Sequence, residues 1–220
     1  MSKRRIELEA EVLDWLYQLP TASFATTAFF VSVLSLQGAL LSRPYTAQLG
    51  GSFSRLYALR FFAGLEAVGL TYWFGPDHRL VLLTVFRDGQ VQRRYEVDRA
   101  REALLRCATH RPDDHVRWGE LRDERMEAPS AAEVFEAAKQ SYEFARTVRT
   151  AREQRRWTIR TLADAAETSE SVIARCEAGG IPPTAPVAVR IMGALGREPV
   201  TARPCLPAKP YVPAPDGAVG

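Results

Sequence analysis

The stretch from 157 to 196, WTIRTLADAAETSESVIARCEAGGIPPTAPVAVRIMGALG, is divided into short helices by its own punctuation. Thr158 and Ser169 stand where a side-chain oxygen can cap the helix that follows. Gly179-Gly180 and Gly196 stand at helix ends, where glycine relieves the left-handed strain of a C-cap. Between these stops Leu162, Val172, Ile173, Cys176, Val187, Ile191, Ala194 and Leu195 recur at helical spacing. Ala163 is small enough to let a neighbouring helix cross closely, and Pro182-Pro183-Thr184 starts the last helix. The preceding segment, Arg146–Arg156, is strongly basic, with Phe144, Val148 and Ala151 turned inward. These junctions are those of a helix-turn-helix, in which one helix crosses the DNA backbone and the next enters the major groove.

A chain of 220 residues has room for a second small domain ahead of this unit. Its hydrophobic content of 46% and aromatic content of 10% supply real cores and exclude wholesale disorder. The formal net charge is only +3, so contact with nucleic acid has to come from local clustering of arginine. Cys107, Cys176 and Cys205 are odd in number and unrelated in spacing. The opening MSKRRIELEAEVLDWL runs from a basic tip into an acidic stretch without a secretory pattern. A cytoplasmic protein with free thiols is expected. Cys107, His110 and His115 could serve as metal ligands, but no fourth partner stands at ligand spacing, so no metal and no cofactor is expected. Phe24–Leu41 carries no formal charge, yet it is short for a bilayer crossing of about 20 residues. Its large residues Phe30, Val33, Leu34, Gln37, Leu40 and Leu41 lie mostly on one helical stripe, so a core helix is expected and no membrane.

In the N-terminal half, Ile6 and Leu8 alternate with charged residues as a short strand, and Ala10–Leu19 turns helical. Pro20 and Thr21 precede the apolar helix, which ends near Ser42-Arg43-Pro44. Phe53–Phe62, Val68–Phe74 and Leu80–Phe86 then read as strands, with breaks short enough for hairpins. Arg93–Thr109 resumes as a helix with Val97, Ala100, Leu104 and Cys107 on one face. The predicted order is one strand, two helices, a three-stranded antiparallel meander and a helix: an α+β domain with helices packed on an antiparallel sheet.

EVLDWLYQL at 11–19, RPY at 43–45, LYALR at 56–60, LTYWF at 70–74, LVLLTVFR at 80–87 and EVDRA at 96–100 together resemble the RelE/HigB toxin superfamily over about residues 5–110. The resemblance implies a metal-independent, ribosome-dependent endoribonuclease whose basic sheet grips messenger RNA. On that reading Arg60 and Arg87 hold the scissile phosphate, with Tyr72 and Arg94 completing the catalytic set. Arg79, Arg93, Tyr95 and His78 lie nearby in sequence. The chain departs from the family pattern at Ala58, where Glu is usual, and at Gly69, where an arginine commonly opens the strand. It departs again at Arg87-Asp88-Gly89-Gln90-Val91-Gln92, where a basic run is expected and Asp88 opposes phosphate.

His110–Asp114 is a polar turn that ends the first domain. Trp118–Met126 reads as a charged helix with Trp118, Leu121 and Arg122 or Arg125 as its contact face. Ser130 with Glu133 forms a capping-box pattern for a helix striped by Val134, Phe135, Ala138, Tyr142, Ala145 and Val148. That helix either packs on the first domain, mediates dimers or serves as a spacer. The expected domains are 1–117, 118–143 as a helical linker or neutralising segment, 144–198, and a disordered Pro-rich tail at 199–220.

Across about 144–198, TLADAAETSESVIARCEAGG and PPT…RIMGALG resemble the Xre/Cro repressor family, including HigA-type antitoxins, an all-α helix-turn-helix fold. The resemblance places Glu170, Ser171 and Arg175 where side chains reach base edges, with Ser169 and Thr184 as candidates for phosphate. Glu167 stands at a turn position usually held by glycine, and Ile159 replaces a glutamine that commonly begins the second helix. Taken together, the two resemblances imply a single-chain toxin–antitoxin fusion: an autorepressor with a tethered mRNA interferase, silenced or degenerate. The alternative is a non-catalytic Xre-family regulator whose first domain serves dimerisation or sensing. The partners implied are double-stranded operator DNA read as a homodimer and, for the first domain, mRNA and the ribosome.

Overall fold

The computed structural model describes residues 5–49, 55–64, 66–76, 78–87, 93–109, 115–179 and 183–197. The predicted turn at 110–114, the run at 88–92 and the tail at 199–220 lie outside the described residues.

Six strands form one mixed sheet: β1 (Arg5–Leu8), β2 (Thr46–Leu49), β3 (Leu56–Ala63), β4 (Glu66–Phe74), β5 (Arg79–Arg87) and β6 (Val116–Arg117). Their spatial order is β2-β3-β4-β5-β1-β6. The meander β3-β4-β5 is antiparallel as expected, whereas β1 joins β5 in parallel. The sheet is therefore mixed. Both β2 and β6 are strands that the sequence did not announce, because four and two residues are too few to display a period of two.

Alternation along the strands sends Leu59, Phe61, Leu70, Tyr72, Leu80 and Leu82 to one face. There they meet α1 (Ala10–Gln18) and α2 (Thr21–Gln37). Leu56, Val81 and Leu83 take the other face, under Ala100, Ala103 and Cys107 of α3 (Arg93–Thr109). β5 carries a bulge opposite Thr71 and Tyr72: Thr84 pairs with Thr71 and Leu82 with Tyr72, leaving Leu83 as the extra residue. Beyond it the alternation changes phase, so that Thr84 and Phe86 fall on the α3 face and Val85 and Arg87 on the other.

α2 passes the length and apolarity test for a membrane span, yet it lies inside the molecule. The single-stripe expectation is corrected here. Phe24, Ala25, Ala28, Phe29, Phe30, Val31, Val33 and Leu34 are all buried, because α2 is sandwiched between the sheet and α5. Leu40, placed on the predicted stripe, is 77% exposed, because the helix stops at Gln37 and Gly38 turns the chain with φ 55°.

α4 (Trp118–Arg125) and α5 (Ala131–Gln154) follow. Trp118 and Leu121 enter the N-terminal core. The Arg125 guanidinium donates to the carbonyls of Leu16, Tyr17 and Leu19, satisfying the open end of α1, and lies 4.8 Å from the Phe24 ring. The capping box at Ser130 does not form: its side chain makes no cap bond, and its own backbone is already helical at φ −86°, ψ −8°. α5 packs on α2 through Phe135 and Tyr142, whose rings meet Phe29 edge-on at 5.5 and 5.6 Å. At about 1.5 Å per residue it is roughly 36 Å long and runs unbroken into a second core. That core joins Val148 and Ala151 to Leu162 and Ala163 of α6 (Ile159–Ala165), Ile173 and Cys176 of α7 (Glu170–Glu177), and Ile191 and Met192 of α8 (Ala185–Ala194).

Candidate nucleic-acid interface

α7 is held by its ends and by one ion pair. The Thr158 hydroxyl accepts from the Thr161 N–H at 3.0 Å to begin α6, and Ser169 Oγ accepts from the Val172 N–H at 3.3 Å to begin α7. Between them Glu167 turns the chain at φ 49°, the left-handed conformation for which glycine is favoured. On the inner side Arg152 Nε and a terminal guanidinium nitrogen bind the two Glu177 oxygens at 2.6 and 2.7 Å. Arg152 also donates to the Trp157 carbonyl at 2.8 Å. This buried fork ties α5 to the end of α7. Sequence reading missed the pair, for Arg152 looked like one more basic residue of a basic helix.

With Glu177 so pinned, Ser171 and Arg175, one turn apart, are exposed on the side of α7 turned away from it, and Glu170, on the same stripe as Glu177, is exposed in the first turn. Ser169 is exposed as well, but its oxygen serves the cap and pairs with Ser171 Oγ at 2.8 Å. Thr184 is exposed at the start of α8 and makes no side-chain cap. Ser169, Glu170 and Ser171 thus lie at the N-terminus of α7, Arg175 in its last turn, and Thr184 at the N-terminus of α8.

Tyr45, just before β2, reaches across to this domain. Its hydroxyl donates to the Glu177 carbonyl at 3.3 Å, and its ring lies 4.9 Å from that of Tyr142. A Cβ on Gly179 would come within 3.2 Å of the Tyr45 ring, and Gly179 holds φ 68°. The end of α7 is therefore seated against the N-terminal core. Burial, with Tyr142 adding to it, pushes the Tyr45 phenol far above its usual value, so it is a donor at all ordinary pH.

The residues expected to form a nuclease site are dispersed. Arg60 pairs in register with Gly69 and Gly69 with Phe86, all on the α3 face. Arg87 pairs with Val68 on the opposite face and lies 3.6 Å from Glu66 at the exposed rim. The bulge in β5 separates the two arginines: unbroken alternation would have put both on one face. Tyr72 is 1% exposed, stacked on Tyr57 at 5.5 Å and edge-on to Phe74 at 5.3 Å. Burial first, then Tyr57, drives its phenol well above the ordinary range, and a hydroxyl so placed does not meet a solvent-borne substrate. Arg94 and Tyr95 are exposed on the first turn of α3, and His78 is exposed in the β4–β5 turn at φ 59°. Arg79 is committed to Glu7, with Nε 3.1 Å from both carboxylate oxygens and a terminal nitrogen at 2.6 Å.

The class is defined by the second core: residues 143–204 match the family model described as a helix-turn-helix domain, a DNA-binding architecture. The match covers the C-terminal part of the chain. No curated protein matches. Among solved structures, the archaeal RelE–RelB complex from Pyrococcus horikoshii OT3 aligns at 20% identity over 41% of this chain and 100% of that one. Its TM-score of 0.31 is too low to define a shared fold.

Proposed function

We propose that this chain is a DNA-binding transcriptional regulator that reads an operator with α7 and works in the cytoplasm as a homodimer on paired half-sites. The observation that carries this reading is the exposure of Glu170, Ser171 and Arg175 on a helix that the Arg152–Glu177 ion pair ties to α5. Arginine there is suited to guanine O6 and N7, and Glu170 to cytosine N4. Ser169 and Thr184, at the N-termini of α7 and α8, are placed for phosphate. The N-terminal α/β unit, ending near 117 and braced by 118–143, is then a fixed body that sets the spacing of the recognition helices or senses a signal. Selection of the full chain against a random duplex pool tests this reading. Enrichment of a two-fold repeated motif supports it, and an unenriched pool contradicts it.

The toxin–antitoxin fusion is the second reading, and the order of one strand, two helices, four consecutive antiparallel strands and a helix, close to the expected order but for the added β2, favours it. Against efficient cleavage stand the opposed faces of Arg60 and Arg87, the buried Tyr72 and the Phe86 ring over Gly69. Growth arrest and transcript cleavage on expression of the full chain, abolished by R60A with R87A, would favour the fusion. Normal growth with soluble protein favours the regulator.

A further inference from the structure

Three groups with metal-ligating atoms, remote in sequence, converge at the β1–β6 end of the sheet. Glu9 stands at the start of α1, Cys107 near the end of α3 and His115 just before β6, and all three are buried. One ligand atom from each lies within 4.8 Å of the others. His115 Nε2 is 2.8 Å from Glu9 Oε1. On the far side of the imidazole, Nδ1 faces Glu7 Oε2 at 3.5 Å. Glu7 is fully buried and gripped by Arg79, with the Arg5 Nε also 3.3 Å from its carboxylate.

We propose that Glu9, Cys107 and His115 form a binding site for a zinc-class divalent cation. A carboxylate, a thiolate and a neutral imidazole are the donors that such an ion takes. Together they carry two negative charges, which the ion cancels in a place where an unbalanced charge is costly. Bonds of about 2.0–2.3 Å at tetrahedral angles separate ligand atoms by roughly 3.3–3.6 Å. The present triangle, with sides of up to 4.8 Å, reaches that size when the 2.8 Å Glu9–His115 contact opens and the Cys107 sulfur draws in. The second Glu9 oxygen or a water completes the shell. Glu7 plays the outer role, a carboxylate that orients the ligating histidine through its other nitrogen and is itself fixed by Arg79. On binding, Cys107 gives up its thiol proton to solvent. The ion would staple the end of α3 and the residue before β6 to the start of α1. Cys107 and His115 were visible as ligand types in the sequence. Their missing partner, Glu9, comes from the other end of the domain and left no spacing signal.

The test uses the full chain carrying C205S. Dialysis against zinc is expected to leave one equivalent per chain and to raise Tm by about 5 °C or more at saturating metal. Cobalt is expected to give a thiolate-to-metal charge-transfer band in the near ultraviolet. X-ray absorption at the zinc edge is expected to report one sulfur with nitrogen and oxygen neighbours. E9Q, C107S and H115Q are each expected to abolish the cobalt band. The proposal is overturned if C205S protein takes up no metal. A cobalt band that survives C107S overturns it equally. Should those variants fail to fold, the absorption spectrum of the parent protein decides alone, since a sulfur-free zinc shell contradicts the site.

Discussion

Replacing Gly69 with alanine tests whether Phe86 occupies the sheet face on which Arg60 stands. A Cβ built at Gly69 falls onto the Phe86 ring, with Cε1 only 2.5 Å away, and the neighbouring ring atoms also overlap it. The ring is nearly buried, so it must either press into Thr84 and its surroundings or swing into solvent. Overpacking a core by one methyl costs about 1–3 kcal/mol, and exposing a buried phenylalanine costs about 1.5–3 kcal/mol. G69A should therefore lose about 2 kcal/mol, which for a chain of this size is a fall in Tm of roughly 4–8 °C. Urea titration followed by tryptophan fluorescence measures it, with Trp73 on the same sheet face as reporter. F86A alone costs stability through its own cavity, but G69A added to F86A should cost almost nothing. The double-mutant cycle then yields a coupling energy of about 1–2 kcal/mol. A G69A protein as stable as the parent, or additive losses in the cycle, would refute the β5 bulge that turns Phe86 to this face. G69R, which restores the arginine of the toxin pattern, should be worse than alanine for the same reason.

Other substitutions probe the helix-turn-helix. E177Q or R152M leaves one buried charge without its partner and should cost about 3–5 kcal/mol, read by thermal unfolding, whereas R152M with E177L should recover much of it. E167G, which relieves a residue at φ 49°, should gain about 0.5–1 kcal/mol in the same assay. Burial pushes the Cys176 thiol up to about 12 from its ordinary 9.0. The unfolded chain then sheds this proton above pH 9 while the folded one keeps it, so stability falls with pH in that window. Between pH 8 and 10 the loss should be about 1 kcal/mol, and C176A should flatten that part of the pH profile.

The helix-turn-helix was legible because its signals are local. Thr158 and Ser169 cap where they should, Gly179 and Gly196 take positive φ, and the inward residues follow a helical period. The meander was legible for the same reason. What escaped was set by long-range pairing. The bulge at Leu83 inverts the phase of β5 without altering its composition, so Arg87 looked like a companion of Arg60 and lies on the other face. Arg152 and Glu177, Tyr45 and Glu177, and Glu9 with His115 are tertiary meetings that no spacing encodes. α2 misled in another way: burial on both sides removes the contrast between faces on which a stripe is read.

Arg175 is the side chain on which the account turns. On the duplex recovered by selection, R175A should bind about 5- to 150-fold more weakly than the parent, the equivalent of about 1–3 kcal/mol. On random duplex of equal length, measured at the same salt, it should lose far less. Equal losses on both duplexes would contradict base reading by α7, leaving Arg175 as a phosphate contact alone.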